Sequence, residues 1–186
     1  MRFFIALDLP AESRQEIESV QQQLKQLLPH LRLTDPNKLH LTISFIGEQA
    51  DGLRPGLIKL ISKATDNLPP FEITPAYLDG FPNLHYPHTI WLGVKGEVDK
   101  IILLTERVRD ELFKLNIEVD ERRFVPHIAI AKTNDLQIDT HTEAKLQALM
   151  QDKQFMPIKV SSVKLFESIP DHDFHRHNTL AEVDLI

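Results

Sequence analysis

Residues 2–8, Arg-Phe-Phe-Ile-Ala-Leu-Asp, form an aromatic and aliphatic run closed by an acid, the pattern of a short buried strand. Pro10 suits the first turn of a helix. Ile17, Val20, Leu24, Leu27 and Leu28 then recur at helical spacing, predicting an amphipathic helix that Pro29 stops. Residues 39–46, Leu-His-Leu-Thr-Ile-Ser-Phe-Ile, alternate as a second strand ended by Gly47. A helix over about 52–66 carries Leu53, Leu57, Leu60, Ile61 and Ala64 inward, and strands follow at 71–78 and 89–94. A long helix over 97–115 gathers Val98, Ile101, Ile102, Thr105, Val108 and Leu112 on one face. Residues 127–132, His-Ile-Ala-Ile-Ala-Lys, read as a strand. Thr140-His-Thr-Glu143 has capping-box spacing and opens a shorter helix, and strands near 156–167 and 179–185 complete the chain.

A strand, a long helix and a histidine-bearing strand occur twice, and the same interval separates Phe3 from His40 and Ile90 from His127. That repeat predicts an α+β fold of two similar lobes facing each other across a cleft, within one domain over residues 1–186.

The candidate chemistry lies on the two histidine strands. Alternation sets His40, Thr42 and Ser44 on one face, with Leu41, Ile43 and Phe45 on the other. His127, Ala129 and Ala131 likewise share a face opposite Ile128 and Ile130, and the small alanines leave room beside the imidazole. Two imidazoles with ordinary pKa near 6.5 can serve as base and acid together. That pair suits phosphodiester hydrolysis without a metal, with the Thr42 hydroxyl donating to a phosphoryl oxygen. The bland alternative is that each is a satisfied structural histidine.

Composition narrows the classes. The 186 residues are 42% hydrophobic and 26% charged, as in ordinary globular domains. Cysteine is absent, which excludes disulfide frameworks, thiolate metal sites and cysteine nucleophiles. A net charge of -6 argues against a general nucleic-acid binder; a nucleic-acid substrate would be gripped at one end or one phosphate. No apolar run approaches the ~20 residues of a membrane span, and Asp8 interrupts any signal-peptide core, so a cytoplasmic location is expected. Glycine-rich phosphate loops are missing, which argues against dinucleotide or nucleoside-triphosphate chemistry.

His172, His175 and His177 invite a metal reading, but a solvent-exposed polar loop between two strands is expected there. His85 and His88 flank Tyr86-Pro87, where Tyr86 or Phe81 could stack a substrate. His30 and His141 carry no signal.

His40-Leu-Thr-Ile43 and His127-Ile-Ala-Ile130 resemble the duplicated His-x-Thr-x signature of the two-histidine phosphoesterase superfamily. Phe3–Pro10, Lys38–Thr42, Phe45–Glu48, Ile90–Val94, Phe124–His127 and Phe166–Ser168 are similar to its RNA 2′,3′-cyclic phosphodiesterase (LigT-like) branch. The resemblance implies antiparallel sheets with outer helices around a central cleft, in a pseudo-two-fold arrangement. It also implies metal-independent opening of a terminal 2′,3′-cyclic phosphate on RNA or a small cyclic nucleotide. His40 would be the proton donor, His127 the acceptor, and no cofactor or membrane is involved. A monomer suffices. Rival readings are a 2′,5′-linkage-specific RNA phosphodiesterase or ligase, and a non-catalytic binder of RNA ends.

Two positions depart from the family pattern. Ala129 stands where the second motif carries Thr or Ser, and Val125 where Arg or Lys commonly precedes Pro-His. Arg122, Arg123 or Lys132 are candidates to replace that charge, and Lys132, Arg123 and Tyr86 are the candidate substrate-binding residues. A slower or differently selective enzyme is expected.

Overall fold

A computed structural model describes residues 1–119 and 123–186. Nine strands are described: β1 Arg2–Asp8, β2 Arg32–Leu33, β3 His40–Glu48, β4 Phe71–Phe81, β5 Thr89–Gly96, β6 His127–Lys132, β7 Ile158–Val160, β8 Ser162–Asp171 and β9 Phe174–Asp184. Four helices accompany them: α1 Ala11–Leu27, α2 Arg54–Ala64, α3 Val98–Lys114 and α4 Thr140–Gln151.

All strand pairings are antiparallel, in the order β7-β4-β5-β6-β3-β1-β8-β9, with β2 added to β6. The order has the expected pseudo-two-fold form: β3-β1-β8-β9 on one side, β6-β5-β4-β7 on the other. The halves join edge to edge into one nine-stranded sheet, and their seam is the pair Leu41↔Ile128. Both side chains are fully buried. Helices cover one face of the sheet, α1 packing on β6 and α3 on β3. The buried Gln21 of α1 donates through Nε2 to the Thr34 and Ile130 carbonyls, pinning the helix across the edge of β6.

Several expected boundaries move. The α4 cap is Asp139, whose carboxylate accepts from the Thr142 N–H at 2.7 Å; Thr140 is already helical. In α3 the buried stripe runs through Ile101, Leu104, Thr105, Val108 and Leu112, and Ile102 is exposed. The region expected to be one strand at 156–167 divides into β7 and β8. Strand β9 begins at Phe174, so the histidine-rich segment is the tip of a β8–β9 hairpin and not a loop.

One irregularity reverses an expectation about facing. β1 pairs Ala6↔Thr42, Ile5↔Ser44 and Phe4↔Phe45, leaving Ile43 as an extra residue. This bulge shifts the alternation by one position. Ser44 therefore comes opposite the core residue Ile5, and Phe45 joins the face of Phe4, the reverse of the strict alternation.

Leu41→Ala opens a cavity at the seam where the two halves meet. A stability loss of about 2–5 kcal/mol is expected from urea unfolding. A loss below about 1 kcal/mol would show that the seam does not hold the halves together.

Candidate active site

His40 and His127 each stand at the first residue of their strand, and each ring is held in the same way. Nδ1 of His40 lies 2.7 Å from the Lys38 carbonyl, and Nδ1 of His127 lies 2.7 Å from the Val125 carbonyl. A carbonyl only accepts, so Nδ1 carries the proton in both rings and Nε2 is the atom left for chemistry. Thr42 lies on the same face as His40, its Oγ1 2.9 Å from His40 Nε2. Continuing the seam register by one residue on each side sets Thr42 opposite His127 and His40 opposite Ala129. Ala129 thus leaves a small, apolar seat beside both imidazoles.

Aromatic rings wall each histidine. Around His40 are Phe4 at 5.2 Å, Phe166 at 6.4 Å and His177 at 5.6 Å, the last edge-on. Around His127 are Phe81 at 4.9 Å and Trp91 at 5.6 Å. Trp91 pairs with Ala129 and Gly93 with His127, and Tyr77 lies over Gly93, where a Cβ would meet its ring at 2.1 Å. Glycine is required there by that close approach. The buried Trp91 Nε1 has no partner among the described residues.

Burial lowers the His40 pKa from its ordinary value, opposed by the Lys38 carbonyl and the Asp8 charge, with His127 adding to the lowering. Burial likewise lowers His127, opposed by the Val125 carbonyl. His177 is pushed down to about 4, first by burial and then by the charges of His40, Lys38 and His175. Burial pushes the Asp8 carboxyl up, but Lys164 at 2.7 Å and Arg14 outweigh it and hold the pKa below the usual value. A cavity of about 300 Å³ opens beside His40, lined by Asp8, Arg14, Lys38, Phe166, Arg176 and His177 among others.

The sequence candidates separate clearly. His40, Thr42 and His127 are brought together at the seam. Lys132 is at the other end of β6, paired with Arg32 and Thr89, five residues or roughly 16 Å along the strand from His127. It does not reach the imidazole. Arg123 is exposed, and Arg122 lies outside the described residues. Tyr86 is 58% exposed, whereas Phe81 packs on the His127 ring. His85 pairs with Glu143 at 3.2 Å and so ties its loop to α4; His88, His30 and His141 are exposed.

Of the three late histidines, His172 is at the hairpin tip with φ 55°, and His175 contacts Ser168 Oγ at 3.1 Å. His177 departs from the exposed loop expected for it: it is half-buried on β9 against His40, Phe4 and Phe166. His177, Asp8, Phe4, Phe166, Tyr77 and Trp91 are the site neighbours that periodicity did not reveal. Their signal is pairing: Asp8 lies across from His40 and Phe166 across from Phe4 in the β1 ladders.

The model of the 2′-5′ RNA ligase superfamily matches residues 9–171. The chain belongs to that superfamily. An RNA 2′,3′-cyclic phosphodiesterase of Methanocaldococcus jannaschii is 26% identical over 168 residues, covering 90% of this chain and 91% of that protein. One from Thermotoga maritima is 28% identical over 162 residues, covering 87% and 82%. Crystal structures share the fold. A Thermus thermophilus protein has TM-score 0.78 at 21% identity over 100% of this chain and 98% of its own. E. coli LigT complexed with 3′-AMP has 0.77 at 23%, over 99% and 97%. His177 falls beyond the matched range of the superfamily model.

Because the folded pKa of His177 lies below that of a free histidine, the folded state resists its protonation. Its share of stability is complete above pH 6.5 and is lost as pH falls toward 4. The thermal midpoint should therefore fall over that window, and His177→Phe should shrink the fall. An unchanged slope in His177→Phe would place the titration elsewhere.

Proposed function

We propose that this member of the superfamily opens the terminal 2′,3′-cyclic phosphate of RNA to a 2′-phosphate, using His127 as base and His40 as acid. The observation that carries it is the pair of imidazoles at the β3/β6 seam, each with Nδ1 bound to a carbonyl and Nε2 left for proton transfer. The curated relatives named RNA 2′,3′-cyclic phosphodiesterase support the reaction, and the LigT structure complexed with 3′-AMP supports a nucleotide substrate.

In the reaction, His127 Nε2 takes a proton from water and the resulting hydroxide attacks phosphorus. The bond from phosphorus to the 3′ oxygen breaks, and a proton from His40 Nε2 reaches that oxygen. The Asp8 charge favours the protonated His40 that this step needs. Thr42 Oγ1, already beside His40 Nε2, donates to a phosphoryl oxygen as charge builds there. Both proton transfers are carried by the protein.

Hydrolysis of an RNA oligonucleotide ending in a 2′,3′-cyclic phosphate, with EDTA present, tests this. His40→Ala and His127→Ala should each lose about 10²–10⁴-fold in turnover. Wild-type rates in either variant would remove the two-histidine mechanism.

Ala129→Thr restores a hydroxyl to the seat between the imidazoles, and a charge-assisted hydrogen bond there is worth about 1.5–3 kcal/mol. A rise of roughly 10- to 150-fold is expected. Unchanged turnover of every cyclic phosphate tested would mean that the missing hydroxyl is irrelevant.

Both histidine pKa values are lowered. The acid form of His40 is therefore lost, as pH rises, before an ordinary histidine would lose its proton, and the base form of His127 persists to lower pH. The kcat/KM profile should be bell-shaped with its top below pH 6.5. The rival reading, a binder of RNA ends favoured by Ala129 and Val125, gives affinity with no such profile.

A further inference from the structure

A row of side chains crosses the cleft face of the sheet through His127. Tyr77 of β4 pairs with Gly93 of β5, Gly93 pairs with His127 of β6, and Thr42 of β3 follows across the seam. Gly93 lacks a side chain, and the far end of the Tyr77 ring occupies its place. A Cβ there would lie 2.1 Å from Tyr77 Cζ and 2.3 Å from Cε1. The ring thus spans β5 from the β4 side. Its hydroxyl, on Cζ, is carried on toward β6, one strand spacing of about 4.8 Å away. Trp91, edge-on to Tyr77 at 5.8 Å and 5.6 Å from His127, supports the ring from one side. Tyr77 is 45% exposed, so a molecule in the cleft reaches it.

The neighbouring row lacks a donor. Trp91 pairs with Ala129, and Ala129 lies opposite His40, so the second motif presents a methyl group where the first presents the Thr42 hydroxyl. Of the other donors in this half, Trp91 Nε1 is buried and Lys132 stands at the far end of β6. A phosphodiester under attack gathers charge on two non-bridging oxygens, and a donor aimed at each stabilises that charge. Thr42 and Tyr77 place one hydroxyl on either side of His127, because a tyrosine is long enough to bridge the strand between β4 and β6.

We propose that the Tyr77 hydroxyl donates to the second non-bridging phosphoryl oxygen from the His127 side, in place of the hydroxyl that Ala129 does not supply. The inference rests on the hydrolase function proposed above and names the donor that completes its second half-site. The water oxygen bonds to phosphorus and its proton passes to His127, while Tyr77 keeps its own proton and only shares it with the oxygen that gains charge.

Tyr77→Phe keeps the ring over Gly93 and removes only the oxygen. On an RNA ending in a 2′,3′-cyclic phosphate its kcat/KM should fall about 10- to 150-fold, with the shape of the pH profile kept. Ala129→Thr should raise kcat/KM by a larger factor in Tyr77→Phe than in wild type, since both hydroxyls serve the same oxygen. Calorimetric titration with adenosine 2′-phosphate, whose end group carries the same charge without turnover, should show weaker binding to Tyr77→Phe. Unchanged affinity for adenosine 2′-phosphate would overturn the proposal, and wild-type turnover alongside it would leave the hydrolase function standing. A fall in rate that only follows a displaced limb of the pH profile would make the hydroxyl a support for the His127 ring, and would also overturn it. So would an equal effect of Ala129→Thr in both backgrounds. Affinity lost in Tyr77→Phe, in a protein that does not hydrolyse the RNA, would support the phosphate contact and remove the hydrolase function.

Discussion

The cleft depends on one repeated bond, from an imidazole Nδ1–H to the carbonyl two residues earlier in the chain. A hydrogen bond of this kind contributes only about 0.5–1.5 kcal/mol to stability. Its importance is directional, because it fixes the tautomer and holds Nε2 as the reactive atom. The two halves reach it by different local means. Before His40, a single 3-10 turn at Pro36–Lys38, capped by Asp35, hands over to extended backbone at Leu39. Before His127, Pro126 confines Val125 to extended backbone and so presents its carbonyl. The Leu41↔Ile128 pair then brings the two rings to a common cleft.

The symmetry of the sheet does not extend to the electrostatics. His40 shares its wall with His177 and feels the Asp8 carboxylate, itself held ionised by Lys164 and Arg14. His127 is flanked by Phe81 and Trp91, and no carboxylate among the described residues acts on it. A charged neighbour favours a proton on His40; an apolar wall favours a bare Nε2 on His127. Burial lowers the pKa of both imidazoles, and a carboxylate opposes that lowering only at His40. Ala129 and Thr42 extend the same asymmetry to the cleft floor, which carries a threonine hydroxyl in the first motif and a methyl group in the second.

Much of this could be read from the chain. The first residues of the two histidine strands follow the alternation, Leu41 and Ile128 buried and His40, Thr42 and His127 toward the cleft, whereas Ala131, expected on the face of His127, is fully buried. What escaped the sequence reading was decided by pairing between distant segments. Nothing near Ile43 announces a bulge; it exists because β3 is two residues longer than β1 over their shared ladder, one of the extra residues falling at Ile43, and Phe45 changes face as a result. His177 was hidden because β9 is an edge strand with both faces largely solvated, so it lacks the apolar period that marks a strand. The Asp-His-Asp run before it imitated a loop where the chain makes a hairpin tip. Lys132, a candidate for substrate binding, stands at the far end of β6, five residues of extended strand from His127.

In the proposed reaction His40 protonates the 3′ oxygen while His127 activates the water. The position of the phosphate in the product tests it most directly, read by phosphorus NMR after hydrolysis of an RNA 2′,3′-cyclic phosphate. A 2′-phosphate is the expected product. A 3′-phosphate would mean that the 2′ oxygen departs instead, and would contradict the placing of the ribose against His40.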